Sequence, residues 1–144
     1  MTKYIQKEIP EAFTTDYINL PIDELRKKAF EEYRNLHFGK EVINEDLKIK
    51  VKFEREGGRK TSYGSAAYSK KVCLIPVLDQ LIRYAKYNNW GERKEKDDEF
   101  VIGYLNFKVK CRIDGKLEHI HLVVRVRNTG EFHYVMEINQ IKNR

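Results

Sequence analysis

The chain has 144 residues, of which 41% are hydrophobic and 35% charged. This balance excludes a disordered chain and favours a single globular domain over residues 1–144. No apolar run is long enough to cross a bilayer or to act as a signal peptide, so we expect a cytoplasmic protein with no membrane partner. The net charge of +6 permits nucleic-acid binding but does not require it, because many basic proteins simply carry solvated lysines.

The first twenty residues are predicted to form an N-terminal arm, and residues 21–144 an α+β core. We expect the arm to attach to the core through its large apolar residues, which are Tyr4, Ile5, Phe13 and Tyr17.

A first helix is predicted from Pro21 to about His37. Proline fits the first position of a helix, and acidic residues directly after it suit the positive end of the helix dipole. Apolar residues recur at helical spacing through this stretch, at Ile22, Leu25, Ala29, Phe30, Tyr33 and Leu36. Gly39 provides a stop signal just beyond the last of them.

Two short strands are predicted next, over residues 41–44 and 47–53. In the second strand Lys48, Lys50 and Lys52 alternate with apolar residues and therefore share one face. Three lysines on one face are able to bind phosphate, but lysines also protect a sheet edge from pairing with other chains. We favour edge protection.

Residues 55–69 are predicted to be a loop, because they are rich in glycine and serine. A second helix is predicted from Pro76 to about Tyr87, with Asn88-Asn89 at its end. The charged residues 91–99 fit a solvated loop. Basic residues in or beside the first of these loops are candidate nucleic-acid ligands: Arg59, Lys60 and Lys70.

The strongest fold signal runs from Phe100 to Ile141, a stretch typical of three antiparallel strands. Asp114-Gly115 predicts a two-residue hairpin turn, and Asn128–Gly130 predicts a three-residue one. Setting the register from these turns places every paired apolar residue on one face of the sheet. The pairs are Val109 with Ile120, Phe107 with Leu122, Leu105 with Val124, Val126 with Phe132, Val124 with Tyr134, Leu122 with Met136, and Ile120 with Ile138.

These elements together predict an α+β fold. We expect two helices to pack on the apolar face of an antiparallel sheet of four or five strands, which ends in the three-stranded C-terminal meander.

The opposite face of the meander is polar and basic. The register places His121 opposite both Glu137 and Lys108, and Arg125 opposite His133. Directly opposed side chains lie about 5 Å apart at Cβ, so these five residues form a candidate catalytic site of a metal-independent ribonuclease. In this hypothesis Glu137 and His121 serve as base and acid. Arg125 and Lys108 hold the phosphate, and His133 assists.

Further candidate nucleic-acid ligands lie on or near the same face: Lys110, His119, Arg127 and Tyr104, the last by stacking on a base. The polar side chains also fit a solvated sheet face that has no function. A zinc site built from His119, His121 and His133 is disfavoured because neighbouring lysines and arginine repel a dication, so we expect no metal and no other cofactor.

Several segments in this order resemble one family: LPIDELRKKAFEEYRNL, GKEVINEDLKIKVKF, GRKTS, LIPVLDQLIRYAKY and the terminal meander. The family is the large polyvalent protein-associated domains of phages and conjugative elements, which are similar to the barnase–EndoU–colicin–RelE-like nuclease group. The resemblance covers roughly residues 20–139. It implies a phage or mobile-element conflict protein, such as a toxin, with a nuclease-like fold.

The nuclease-like relatives carry a stretch with lysine or histidine ahead of the second helix. Here residues 59–62 and 69–71 occupy that place, and they contain no histidine. Two classes of partner follow as expectations. The first is RNA or another nucleic acid, whose binding would weaken steeply with salt. The second is a host defence protein that a non-catalytic mobile-element protein would bind and inhibit.

Overall fold

A computed structural model of the chain describes residues 4–63 and 69–135. The described residues form one mixed sheet of seven strands. The strands are β1 (Glu11–Ala12), β2 (Glu41–Asn44), β3 (Ile49–Phe53), β4 (Lys86–Glu92), β5 (Val101–Ile113), β6 (Lys116–Arg127) and β7 (Phe132–Tyr134). Six of them follow the order β1-β5-β6-β7-β3-β2, and β4 pairs with the same edge of β5 as β1 does.

The β5–β6 hairpin confirms the predicted register. Phe107 pairs with Leu122 and Val109 with Ile120. The turn takes left-handed backbone angles at Asp114 (φ 52°) and Gly115 (φ 81°), as a two-residue turn of this kind requires.

The second predicted turn is also present, and β6 continues into β7 with Val124 opposite Tyr134 and Val126 opposite Phe132. Gly130 at that turn has a φ of 86°. The C-terminal meander and the α+β class are therefore confirmed. The two further predicted pairs, which involve Met136 and Ile138, lie outside the described residues.

The prediction of a purely antiparallel sheet of four or five strands is wrong. β1 pairs with β5 in parallel, and β3 pairs with β7 in parallel. Both pairings join segments that are distant in the chain, whereas turn signals report only neighbouring strands. The edge-protection interpretation of the β3 lysines also fails, because β3 lies between β7 and β2. Lys52 instead forms a 2.6 Å ion pair with Glu131.

The first helix, α1 (Ile22–Leu36), forms as predicted. Its buried face, formed by Leu25, Ala29 and Tyr33, packs into the core on the apolar side of the sheet. Gly39, with a φ of 81°, follows the end of the helix and turns the chain into β2.

The first part of the predicted loop at 55–69 is instead helical, and α2 runs from Arg55 to Tyr63. Two glycines that looked like a turn allow this helix to pack closely against its neighbours. A Cβ on Gly57 would lie 2.4 Å from the carbonyl oxygen of Tyr134, and one on Gly58 would lie 2.2 Å from the ring of Tyr33. Tertiary packing therefore outweighs the low helix propensity of glycine here.

The predicted helix at 76–87 is divided and shorter. It consists of a 3₁₀ turn (Ile75–Val77) and α4 (Leu78–Tyr84), and a separate short helix, α3 (Ser69–Val72), precedes it. The residues expected to end it, Asn88 and Asn89, belong to β4. This strand lies along β5 with a bulge between Tyr87 and Asn89, which its sequence does not reveal because it lacks alternation.

The N-terminal arm attaches along the sheet edge. Tyr17 is buried as predicted, but Ile5 and Phe13 are exposed, so those two expected attachments are wrong. Gln6 bonds to the backbone of Lys110 in both directions, donating to its carbonyl at 2.9 Å and accepting from its N–H at 2.8 Å. Because the arm extends the edge of β5, the side chain of Lys110 on the polar face stays exposed.

None of the helices within residues 4–63 and 69–135 has the length and apolar character needed to cross a membrane.

Candidate functional site

A cleft of about 520 Å³ opens midway along the β5–β6 hairpin on the polar face. Helices α1 and α4 pack on the opposite face, so strand alternation alone places the polar side chains here. The cleft is lined by Asn88, Asn89, Asn106, Lys108, His119, Ile120 and His121.

His121 and His119 lie on one strand at alternate positions, which places their Cα atoms about 7 Å apart. Directly across the hairpin, Lys108 opposes His121 and Lys110 opposes His119. Nε2 of His121 lies 3.0 Å from Oδ1 of Asn106. Because an amide oxygen only accepts, this bond makes Nε2 the protonated nitrogen of the neutral ring, and Nδ1 is then the basic one. We call the part of the polar face that carries Asn106, Lys108, Lys110, His119 and His121 the cleft end.

The other end of the polar face, which we call the paired end, carries Lys52, Arg125, Arg127 and His133 together with their acidic partners. Arg125 donates two hydrogen bonds to the carboxylate of Glu56 on α2, the longer of them 3.2 Å. This contact from Arg125 lowers the pKa of Glu56.

The remaining basic residues of the paired end also have carboxylates close by. Arg127 lies 3.8 Å from Asp98. Nε2 of His133 lies 3.6 Å from a carboxylate oxygen of Glu131, which also binds Lys52. A carboxylate beside a basic side chain repels an approaching anion, so these residues are weaker anion ligands than basic residues without such a neighbour.

A small apolar cluster separates the two ends. It consists of Val101, Tyr104, Val123 and Val135. The hydroxyl of Tyr104 donates to Asp97 at 2.6 Å, and the ammonium of Lys94 lies over its ring. Burial, together with this hydrogen bond, raises the pKa of Tyr104 to about 12. Only 8% of Tyr104 is exposed and Lys94 lies over its ring, so the ring offers little surface on which a base could stack.

The residues proposed from sequence thus fall into separate places. His121 and Lys108 share the cleft, whereas Arg125 and His133 lie at the paired end. Arg125 is four residues beyond His121 on β6. Four residues of a strand span about 13 Å, which is too far for one phosphate to contact both groups. Glu137 lies outside the described residues.

The remaining candidate ligands are also dispersed. His119 lines the cleft, and Lys110 is its exposed neighbour across the hairpin. On α2, Arg59 is exposed, and Lys60 forms an ion pair with Glu56 at 3.5 Å. Lys70 lies on the other side of the sheet, 3.3 Å from the buried carboxylate of Glu118.

Sequence reasoning missed the three asparagines of the cleft. Asn106 lies between Tyr104 and Lys108 in the alternation of β5, so its place on the polar face was available from the register. Asn88 and Asn89 carried no such signal, because the strand to which they belong has no polar–apolar period.

Histidine, cysteine and acidic side chains do not gather in threes around any possible metal position within the described part of the chain.

The chain forms an α+β domain with a basic cleft on the polar, solvent-facing side of its sheet. The chain belongs to the family described as large polyvalent protein-associated domain 3, whose model matches residues 21–134. This membership indicates a phage or mobile-element associated protein. No significant match to the chain was found among curated proteins or among solved structures.

Proposed function

We propose that the cleft end binds RNA and cleaves it without a metal ion. The observation that carries the proposal is the convergence of two histidines, a lysine and an amide in one cleft: His119, His121, Lys108 and Asn106. Cleavage of this kind needs a base, an acid and a positive charge near the phosphate.

The proposed roles follow from the contacts of each group. His121 is the base, because its bond to Asn106 holds the ring in one orientation with Nδ1 basic. His119, two residues away on the same face, is the acid. Lys108 lies directly opposite His121 and stabilises the charge that develops on the phosphate.

The reaction is a transesterification. His121 removes the proton of the ribose 2′-hydroxyl, and the 2′ oxygen forms a bond to phosphorus. The bond between phosphorus and the 5′ oxygen breaks, and His119 protonates that oxygen. The products are a 2′,3′-cyclic phosphate and a 5′-hydroxyl end. This assignment replaces Glu137 as base and leaves out Arg125 and His133.

The test is cleavage of a mixed RNA pool in the presence of a chelator. Wild-type protein should release cyclic phosphate ends, and His121→Ala and His119→Ala should each lose about 100- to 10,000-fold in rate. Both variants should fold normally, within about 0.5 kcal/mol, since these are solvent-facing positions. Lys27→Met, an exposed lysine of α1 on the opposite side of the sheet, is the matched control.

A second substrate separates the two histidines. A dinucleotide analogue with an acidic phenol as leaving group needs no proton from an acid, so His119→Ala should cleave it at nearly the wild-type rate. His121→Ala should remain defective, because the 2′-hydroxyl still has to lose its proton. If wild-type protein leaves the RNA pool intact at high concentration, the catalytic assignment is wrong.

A further inference from the structure

The basic residues of the cleft end and the paired end differ in whether they have an acidic partner. At the paired end each one is within reach of a carboxylate. Across the described residues, no ion pair involves the basic residues from the middle of β5 to the start of β6: Lys108, Lys110, Arg112 and Lys116. Along the β5–β6 hairpin, the basic residues without an acidic partner therefore lie in the cleft and on the side of it that faces the hairpin turn.

Three of these residues form a straight row. Lys108, Lys110 and Arg112 alternate along β5 on its polar face, which spaces them about 7 Å apart at Cα. Arg112 has Glu11 of β1 as its register partner, yet these two described side chains form no ion pair. The row begins inside the cleft at Lys108 and leads away from it toward the hairpin turn.

The backbone beneath the row is held on both sides. β6 pairs along its whole length. On the outer side, Gln6 bonds to Lys110, and β1 pairs with Arg112, whose N–H donates to the carbonyl of Pro10 at 2.9 Å. Because this backbone is already fixed, only the side chains of the row would have to be ordered when a repeating charge binds.

We propose that Lys108, Lys110 and Arg112 bind three consecutive phosphates of an extended single strand. Lys108 contacts the scissile phosphate, and the other two phosphates lie on one side of it only. This inference rests on the proposed function and specifies its substrate class. A straight row on one strand of a sheet follows the backbone of an extended single strand, whereas the backbone of a duplex curves away around its helix. A nucleotide that enters the cleft also has to leave any base stack.

On the other side of the cleft no such row continues within the described residues. The apolar cluster around Val123 comes first, and beyond it Arg125 is bound to Glu56. The substrate is therefore bound asymmetrically, through phosphates on the side of the cleft that faces the hairpin turn.

The experiment measures affinity for labelled oligonucleotides that carry a 2′-deoxy position at the scissile site and so cannot be cleaved. One series is extended by one to three nucleotides on the 5′ side and the other on the 3′ side. Fluorescence anisotropy across a range of salt concentrations gives Kd and its salt dependence. We expect extension on one side to tighten binding stepwise, and extension on the other side to leave Kd unchanged.

Charge-removing variants test the row itself. Lys110→Met and Arg112→Met should each reduce the slope of log Kd against log salt by about 0.7, the value for one phosphate contact on a single strand. Lys27→Met is the control for the loss of one positive charge elsewhere, and it should leave the slope unchanged.

Equal gains in affinity from the 5′ and 3′ extensions would contradict the proposed row. An unchanged slope of log Kd against log salt in both variants would also contradict it. So would tighter binding of a duplex of the same length. If these results occur while the RNA pool is still cleaved, only the row fails and the proposed function stands. If the protein neither binds the oligonucleotides nor cleaves RNA, both fail.

Discussion

Arg125 and Glu56 illustrate how one residue pair removes a cation from the surface that an anion can use. Arg125 looks like a phosphate ligand in the sequence, since it lies on the polar face between two histidine positions. In the structure its guanidinium is bound by Glu56 and its side chain is only 12% exposed. Glu56 lies on α2, in a stretch whose sequence predicts a loop. The pair was therefore not foreseeable from the register of the sheet.

This pair makes a prediction about pH. The hydrogen bond from Arg125 lowers the pKa of Glu56 below its value in the unfolded chain. The resulting stabilisation is present above the unfolded pKa, about 4.3 for glutamate, and is lost as the pH falls through the lower folded pKa. Glu56→Gln should therefore be less stable than wild type at neutral pH, and the two should converge in acid.

Urea unfolding at a series of pH values measures this difference. Glu31→Gln, at an exposed position of α1, is the control and should follow the wild-type curve at every pH. A constant difference between Glu56→Gln and wild type from neutral pH down to acid would contradict the linkage.

At the scale of elements, α2 depends on close packing at both of its glycines. Gly58 lies directly against the ring of Tyr33 on α1, whose hydroxyl donates to the carbonyl of Glu54 at 2.6 Å. At the preceding position, Gly57 lies against the backbone of Tyr134. The helix therefore joins α1 to the end of β7, and it also supplies Glu56 to the polar face.

Gly58→Ala tests this packing, because two effects predict opposite signs. Helix propensity alone would stabilise the variant by about 1 kcal/mol. The added methyl group would lie 2.2 Å from the Tyr33 ring, and overpacking of this kind costs about 1–3 kcal/mol. We expect a net loss of stability in urea unfolding.

Arg59→Ala, on the exposed side of the same helix, is the matched control and should stay within about 0.5 kcal/mol of wild type. If Gly58→Ala is more stable than wild type, α2 does not pack against Tyr33 as described.

At the scale of the whole molecule, turn residues and alternation in the sequence predicted the parts of the fold that form between neighbouring segments. The β5–β6 hairpin was predictable because Asp114-Gly115 sets a register that alternation then extends over both strands. Strands β1 and β4 were not, since each is recruited by the edge of β5 and carries little period of its own. The same limit applies to the site. Alternation placed His121 beside Lys108, but only the tertiary structure shows which cations carry acidic partners.

We propose that the cleft end, and not the paired end, contacts RNA. Ultraviolet cross-linking of single-stranded RNA to the intact protein, followed by mass spectrometry of the linked peptides, tests this claim most directly. We expect cross-links in Asn88–Asn89, in Lys108–Arg112 and in His119–His121. Cross-links concentrated at Arg125 and His133, or on the exposed side of α1, would contradict it.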